Sequence, residues 1–575
     1  MFPYIYVFLQ YYNYIYWHIF FKWFNIISYL SYKSKVKKSL DFFLVKNIYD
    51  SEILFDILEK MIWTTKTFTN IWLQGYEILV EADLNKSLPS IEIIWLPDAA
   101  IKESKERLRA TFRNAGIELP NRKFVLNLAP SDIKKVWTSF DLSMAVAVFI
   151  LINEWRLAHI SDISKFLFFG ELGLDGTIKR VNGLLPSVIS AIKKWYKDFV
   201  IPKDNLYELE YISWINIYPF ENFVDLIDFL SWKNEVQPIS TVKSISDIGL
   251  LDIDSNLDFE NIKGQILAKR AMWIAAAGLH NVLMIWAPWS GKTMLSKALQ
   301  SILPPLSFEE VLEVSQIYSV IWKLNKDQPL IVQRPFRQVH HTASKISIVW
   351  WGSNLAPWEV SLAHKWILFF DELTEFPRET LEVLRQPLED KNVSISRVSG
   401  SVIYPANFMF VASMNPCKCW YYKDPEKHCT CGINEIKKYQ SKISGPLLDR
   451  IDMILEIPRE NINNLLENIK WESSESIRQK VINARNIQKE RFKNTNISSN
   501  SGMTSRDIDT YINLSSEAKD FLSNAASKLT LSPRLVHRII KLWRTIADME
   551  WDSDLQVKYL AEAMQYRSKT MFVDN

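Results

Sequence analysis

The sequence predicts an α/β chain in three folded parts: an α+β domain, a parallel-sheet domain and a helical C-terminal domain. Three observations predict it. The chain has 575 residues, too long for one hydrophobic core. Between residues 257 and 460, short apolar runs alternate with helical patterns, as a parallel sheet requires. From residue 472 to about 570 the pattern is almost wholly helical, broken by one polar stretch at 494–505.

Residues 1–60 stand apart. They are rich in Phe, Tyr, Ile and Lys, and the first acidic residue is Asp41. Gln10, Asn13, His18, Lys22 and Asn25 interrupt the apolar run, so it holds no clean membrane span. The preferred reading is an aromatic-rich extension upstream of a true start at Met61. A membrane role is expected only if residues 1–30 belong to the protein and insert. Residues 61–232 mix strands such as Tyr76-Glu-Ile-Leu-Val-Glu-Ala82 with helices near 100–114 and 184–194. Residues 233–256, with Pro238, Ser240, Ser244 and Ser246, read as a linker.

Composition bounds the function. A net charge of +3 supplies no global field for nucleic acid, so any such binding uses local patches. The 4 cysteines all lie between Cys417 and Cys431, which excludes a disulfide framework and points to a reducing, cytoplasmic setting. Glycine numbers only 15 and tryptophan 22, where about 7% glycine is usual. Together the two come close to the usual glycine share, so many tryptophans are expected at glycine positions.

The parallel-sheet domain carries the chemistry. Asn281-Val-Leu-Met-Ile285 reads as a buried strand, followed by Trp286, Ala287, Pro288, Trp289, Ser290, Gly291, Lys292 and Thr293, then a helical pattern. Strand, loop and helix are the context of a phosphate-binding loop, whose backbone N–H groups cradle phosphates at a helix N-terminus. Lys292 is expected at the β- and γ-phosphates of ATP and Thr293 at Mg²⁺. A chance Gly-Lys-Thr is the competing reading. A second apolar run, Trp366-Ile-Leu-Phe-Phe370, answers it by ending in Asp371-Glu372. There Asp371 helps hold Mg²⁺ and Glu372 orients the attacking water. A third run, Phe408-Met-Phe-Val-Ala412, ends near Asn415, whose amide can position the same water.

Further motifs make the resemblance specific: Lys263-Gly264-Gln265, Ala275-Ala-Ala-Gly278, Pro335-Phe-Arg337, His340-His341-Thr342-Ala343-Ser344, Arg385-Gln-Pro-Leu-Glu-Asp390, Met414-Asn-Pro-Cys417 and Ser444-Gly-Pro-Leu-Leu-Asp-Arg450. From about Met61 to Arg567 the chain resembles the magnesium-chelatase-like AAA+ ATPases of the ComM/YifB type, the ComM-type competence helicases. The resemblance implies an AAA+ P-loop NTPase domain with a helical lid. Asn415 is similar to the sensor-1 residue. Arg450 sits where the family has its arginine finger, and Arg534, in Ser532-Pro-Arg534, resembles sensor 2. A finger acting in trans implies a ring, by analogy with the family a homo-hexamer. The family further implies ATP-driven work on DNA, namely branch migration. A chelatase motor subunit and a nucleotide-sensing assembly protein are the alternatives. Arg334, Arg337, His340 and His341 are candidates for a basic pore loop.

The family pattern places glycine at Trp95, Trp137, Trp195, Trp286, Trp289, Trp350, Trp351, Trp358, Trp366 and Trp420. Glycine serves where φ is positive or the backbone must approach a ligand closely. The expectation is that UGA codons, written here as tryptophan, encode glycine in the cell. The rival is an ATPase-dead relative.

Cys417, Cys419, Cys429 and Cys431 form C-x-C-x₉-C-x-C, with His428 adjacent. Two close thiolate pairs suit a structural tetrahedral Zn²⁺ site. Residues 61–232 resemble a Lon-protease-like, ribosomal-S5-type domain through Leu96-Pro97-Asp98, Asn127-Leu-Ala-Pro130 and Phe140-Asp-Leu142. Ser139 falls near the protease serine. The stretch Gly183-Leu-Leu-Pro-Ser187 lacks the lysine base, so no peptidase activity is expected.

Overall fold

A computed structural model describes residues 63–567 apart from 72, 95–97, 131–139, 154–162, 241–242, 246–247, 249–256, 287–291, 335, 341–358, 398–399, 425, 458–470, 496 and 529–530. By contacts, Trp63–Ala82 with Lys86–Asn575 forms one unit. Met1–Ile62 with Asp83–Asn85 forms the other, of which only Asp83–Asn85 is described. The expected extension over residues 1–60 therefore lies outside the described residues.

The first sheet has seven strands. In chain order the elements are β1 (Trp63–Ile71), β2 (Gln74–Asn85), β3 (Ser90–Ile94), α1 (Asp98–Asn114), β4 (Lys123–Ala129), α2 (Asp141–Asn153), β5 (Phe166–Phe168), β6 (Glu171–Leu172), β7 (Ile178–Lys179), α3 (Leu184–Ile192), β8 (Asp198–Pro202), β9 (Asn216–Phe220) and α4 (Phe223–Leu230). The sheet order is β3-β4-β2-β1-β5-β8-β9. β1 and β2 pair antiparallel, while β1/β5, β5/β8 and β8/β9 are parallel. α2 is apolar nearly throughout and buried from Asp141 to Leu151, as a helix without a polar face must be. Its first-turn carboxylate, Asp141, is matched by Ser104 at 2.9 Å and Arg107 at 2.6 Å. The described residues of the linker pack against the first domain at several points. Ile239 bridges Ile217, Lys243 N–H donates to the Glu210 carbonyl at 2.9 Å, and Ile248 is buried.

The second sheet is wholly parallel. It follows α5 (Ile266–Gly278) and contains β10 (Val282–Trp286), β11 (Phe336–Val339), β12 (Ile367–Phe370), β15 (Met409–Met414) and β16 (Met453–Ile457) in the order β11-β12-β15-β10-β16. Every residue of β10, β12 and β15 is buried, which explains why these strands are apolar except at Ser413. Between them lie α6 (Lys292–Ile302), α7 (Phe308–Val320), α8 (Glu359–Leu362), α9 (Arg378–Val383), α10 (Arg385–Asp390) and the hairpin β13 (Asn392–Arg397)/β14 (Gly400–Pro405). After β15 come α11 (Ile433–Gln440) and α12 (Gly445–Leu448). α7 starts at Ser307 through a reciprocal cap with Glu310. The two sheets share a hydrophobic cluster that includes Val188, Leu209, Ile317 and Phe370.

The C-terminal part is helical: α13 (Ser474–Arg491), α14 (Ser505–Tyr511), α15 (Ser516–Lys528), α16 (Pro533–Met549) and α17 (Val557–Gln565). Buried Asp548 on α16 ties it together, accepting from Arg491, Arg544 and Asn500. Among the described residues, no helix is long and apolar enough to cross a membrane.

Six tryptophans take a left-handed backbone: Trp195 (φ 70°), Trp214 (71°), Trp232 (58°), Trp322 (58°), Trp420 (73°) and Trp551 (59°). All six are exposed. Trp195, Trp232, Trp322 and Trp551 follow the ends of α3, α4, α7 and α16. In each case the next residue's N–H reaches back five residues: Tyr196 to Ala191, Lys233 to Asp228, Lys323 to Tyr318 and Asp552 to Ala547. That bond defines the Schellman helix end, whose left-handed position favours glycine. Gly116 does the same after α1, with φ 68° and an Ile117-to-Phe112 bond of 3.0 Å. A tryptophan there carries strain of about 1–2 kcal/mol. Glycine costs about 0.5–1 kcal/mol in chain entropy, so each replacement by glycine is expected to stabilise. Denaturant midpoints of Trp195→Gly, Trp232→Gly and Trp551→Gly should each rise, and a fall in all three contradicts the assignment. Trp286 and Trp366 differ in kind: both are buried, and neither indole N–H finds an acceptor among the described residues.

Candidate nucleotide site and cysteine cluster

Three neighbouring strands of the second sheet deliver the site at their C-terminal ends, where open parallel sheets bind ligands. β10 ends at Trp286, and Ala287, Pro288, Trp289, Ser290 and Gly291 lie outside the described residues. Lys292 and Thr293 open α6. The Lys292 ammonium donates to the side-chain oxygen of Asn415, which follows β15 and is buried. Asp371 follows β12 and accepts from Ser413 Oγ and from the Glu372 N–H at 3.1 Å. Glu372 adopts φ 50° at this strand end. Burial pushes the Lys292 amine down from its ordinary value, while the Asp371 and Glu372 charges pull it up. A half-buried ammonium facing two carboxylates and an amide is the setting in which a polyphosphate and a hard divalent cation fit. Asp371 and Thr293 offer the oxygen ligands that suit Mg²⁺.

The two arginines are placed differently. Arg450, just after α12, pairs with Glu389 of α10 and donates to the Pro446 carbonyl at 2.8 Å. Its Nε is buried without an acceptor. Arg534 lies exposed in the first turn of α16. Among the described residues, no bond joins either arginine to the group around Lys292. The basic pore loop is not supported at its arginines. Arg334 bonds the Pro304 carbonyl at 2.8 Å and Glu310 at 2.8 Å, and Arg337 is paired with Glu359. Both are neutralised by partners whose proximity the local motif does not reveal. His340 is exposed, and His341 lies outside the described residues, as do Ser139, Trp95, Trp137, Trp350, Trp351 and Trp358. Sequence reasoning missed Ser413, which fixes Asp371. Its position two residues before Asn415 on one strand was the available signal.

The four cysteines converge. All four Sγ atoms lie within 4.8 Å of one another. Cys417 is 3.3 Å from Cys419 and 3.7 Å from Cys429, and Cys419 is 3.4 Å from Cys429. Ligands at about 2.3 Å around a tetrahedral zinc stand about 3.8 Å apart, so the donor set fits. Burial raises Cys417. Burial would also raise Cys419, but the Tyr421 and Thr430 backbone N–H groups bring it down to about 5. The loop is anchored beside Asn415 by Gln440 of α11, which donates to the Pro416 carbonyl at 2.9 Å.

The order of the sheet, Lys292 at the start of α6 and the acidic pair one strand removed are consistent with an AAA+-like domain. Comparison with known proteins agrees. Residues 258–465 match the family model "Magnesium chelatase, subunit ChlI", residues 80–205 "Subunit ChlI of Mg-chelatase" and residues 471–567 "Magnesium chelatase, subunit ChlI C-terminal". The chain is 34% identical over 502 residues to "Competence protein ComM" of Haemophilus influenzae, covering 85% of this chain and 94% of that protein. It is 35% identical over 492 residues to the uncharacterized protein YifB of Escherichia coli, with the same coverage. An uncharacterized protein of Mycobacterium tuberculosis is 33% identical over 496 residues, covering 86% of this chain and 96% of the relative. The chain belongs to the magnesium-chelatase-like family of the ComM/YifB type.

Proposed function

We propose that this chain, with glycine in its phosphate loop, is an ATP-hydrolysing AAA+ motor that works as a hexameric DNA helicase promoting branch migration. The observation that carries the ATPase reading is the meeting of Lys292, Asp371, Glu372 and Asn415 from three adjacent strands. In this reading Lys292 holds the β- and γ-phosphates and Glu372 polarises the attacking water, which Asn415 orients. Thr293 and Asp371 would hold Mg²⁺, which neutralises phosphate charge when bound. Arg450 completes a neighbouring subunit's site and Arg534 reads the nucleotide from the helical lid. The DNA reading is supported by the likeness to a protein named for competence. The work is assigned to the cytoplasm, in keeping with four free cysteines. Proposed domain limits are 61–232, 257–460 and 472–570.

The test uses the full chain with glycine at the tryptophans assigned above to glycine positions, namely those of the family pattern together with Trp214, Trp232, Trp322 and Trp551. ATP-dependent migration of a four-way DNA junction is expected, weakening with salt, and lost in Lys292→Ala. ATP hydrolysis that ignores DNA, with no junction movement, favours instead a chelatase-like motor. That second reading is favoured by the descriptions of all three matching family models.

The cysteine cluster is proposed as a structural zinc site that staples the loop beside Asn415. Metal analysis is expected to find one zinc per chain, and Cys417→Ser to lower zinc content and melting temperature together. Full-length protein free of zinc at an unchanged melting temperature would remove the site.

A further inference from the structure

The residues between α12 and β16 lie at a crossing of bonds that the chemistry above does not use. Asn281, just before β10, joins three strands. Its N–H donates to Asp452 Oδ2 at 2.9 Å and its side-chain amide to the Arg450 carbonyl at 3.2 Å. Its carbonyl accepts from the N–H groups of Asp452 and Met453 at 3.0 Å each, and its Oδ1 from Phe410 N–H on β15 at 3.0 Å. From the helical part, Arg538 of α16 donates to the other Asp452 oxygen. His280 lies 3.5 Å from Asp452 and, through its other ring nitrogen, 2.8 Å from Thr545 of α16. Beyond α17, Arg567 donates to the Ile451 and Leu448 carbonyls, and Tyr566 accepts from Ile454 N–H at 2.7 Å.

Asp452 is only 4% exposed. Burial by itself would raise its carboxyl, yet Arg538, His280 and the Asn281 N–H hold it far below the usual carboxylate range. A buried carboxylate so matched keeps its charge and its geometry. Its place in the chain gives this consequence. Arg450 stands two residues before it. Its partner Arg538 stands one helical turn after Arg534 on α16. Asn281, bonded to both Arg450 and Asp452, leads straight into the strand that ends at the phosphate loop.

We propose that Asp452 is a positioning residue that makes the placement of Arg450 depend on the seating of the helical C-terminal part, so that one subunit's lid tunes hydrolysis in the next. The inference rests on the trans role of Arg450 proposed above. Movement of α16 pulls on Asp452 through Arg538. Asn281 ties the same short segment to the sheet, so the segment carrying Arg450 is seated between the strand on one side and the lid on the other.

The test measures kcat and KM for ATP in the full glycine-restored chain. Asp452→Asn is expected to lower kcat about tenfold and leave KM within about twofold, the signature of an interaction used in the transition state. In an Arg450→Ala background, Asp452→Asn is expected to cause no further loss, because residues acting as a unit are not additive. Arg538→Gln should reproduce the loss and Arg538→Lys recover most of it. That pair of variants carries the test even where Asp452→Asn folds poorly. An equal loss from Asp452→Asn with and without Arg450 overturns the inference, as does a fall in melting temperature at unchanged kcat. An Arg450→Ala chain with undiminished kcat overturns the role of Arg450 itself, and this inference with it.

Discussion

Glycine at 286 and 289 together is expected to raise ATP turnover by about a thousandfold over the same chain with tryptophan at both positions. The loop binds phosphate through backbone N–H groups, which must come within hydrogen-bonding distance of the ligand. In a loop of this kind an indole at 289 is expected to compete with phosphate for the same space. At 286 the indole is buried in the core beside the loop, with its N–H unpaired. Removing one hydrogen-bond donor from a developing charge costs about 10²–10³ in kcat, and two bulky residues are expected to disturb more than one donor. The comparison is between two chains with glycine at the other assigned positions, one keeping Trp286 and Trp289 and the other carrying Trp286→Gly/Trp289→Gly. Equal turnover would show that the loop tolerates both indoles.

Arg450→Ala is expected to lower kcat by about 10³ or more, the scale of an arginine that meets the transferring phosphoryl group. Within one chain Arg450 faces Glu389 and not the Lys292 group, which suits the proposed role on a neighbour. Mixing makes the argument decisive. A ring of Arg450→Ala subunits and a ring of Glu372→Gln subunits should each be inactive. Mixed rings should regain turnover, because an intact Arg450 then meets an intact Glu372 across an interface. No recovery on mixing, with mixed rings shown to form, would place both residues in one subunit's site.

Much of this site was legible because its strands are buried on both faces. β10, β12 and β15 are short and wholly buried; Asp371 directly follows β12, Asn415 directly follows β15, and the segment after β10 leads to Lys292. The order of the strands was not legible. Nothing near Asn415 indicates that β15 inserts between β10 and β12, since parallel pairing is set by long-range contacts. The arginines misled for a similar reason: Arg334 and Arg337 look like a basic stretch until Glu310 and Glu359 come in from other helices. Asp452 was printed two residues after Arg450, but its meaning comes from Arg538, 86 positions away. The tryptophans are the reverse case. Composition raised the question, and six described tryptophans, Trp195 and Trp420 among the expected positions, have the left-handed backbone that favours glycine. Trp214, Trp232, Trp322 and Trp551 were not singled out by the family motifs, yet their φ angles are those of glycine.

The central claim is that this chain holds a working phosphate loop between β10 and α6. The most direct measurement is the mass of the tryptic peptide that ends at Lys292, taken from the native protein. Glycine at positions 286 and 289 is the predicted result. Tryptophan at both positions would contradict the account and leave the chain a relative that has lost its ATPase.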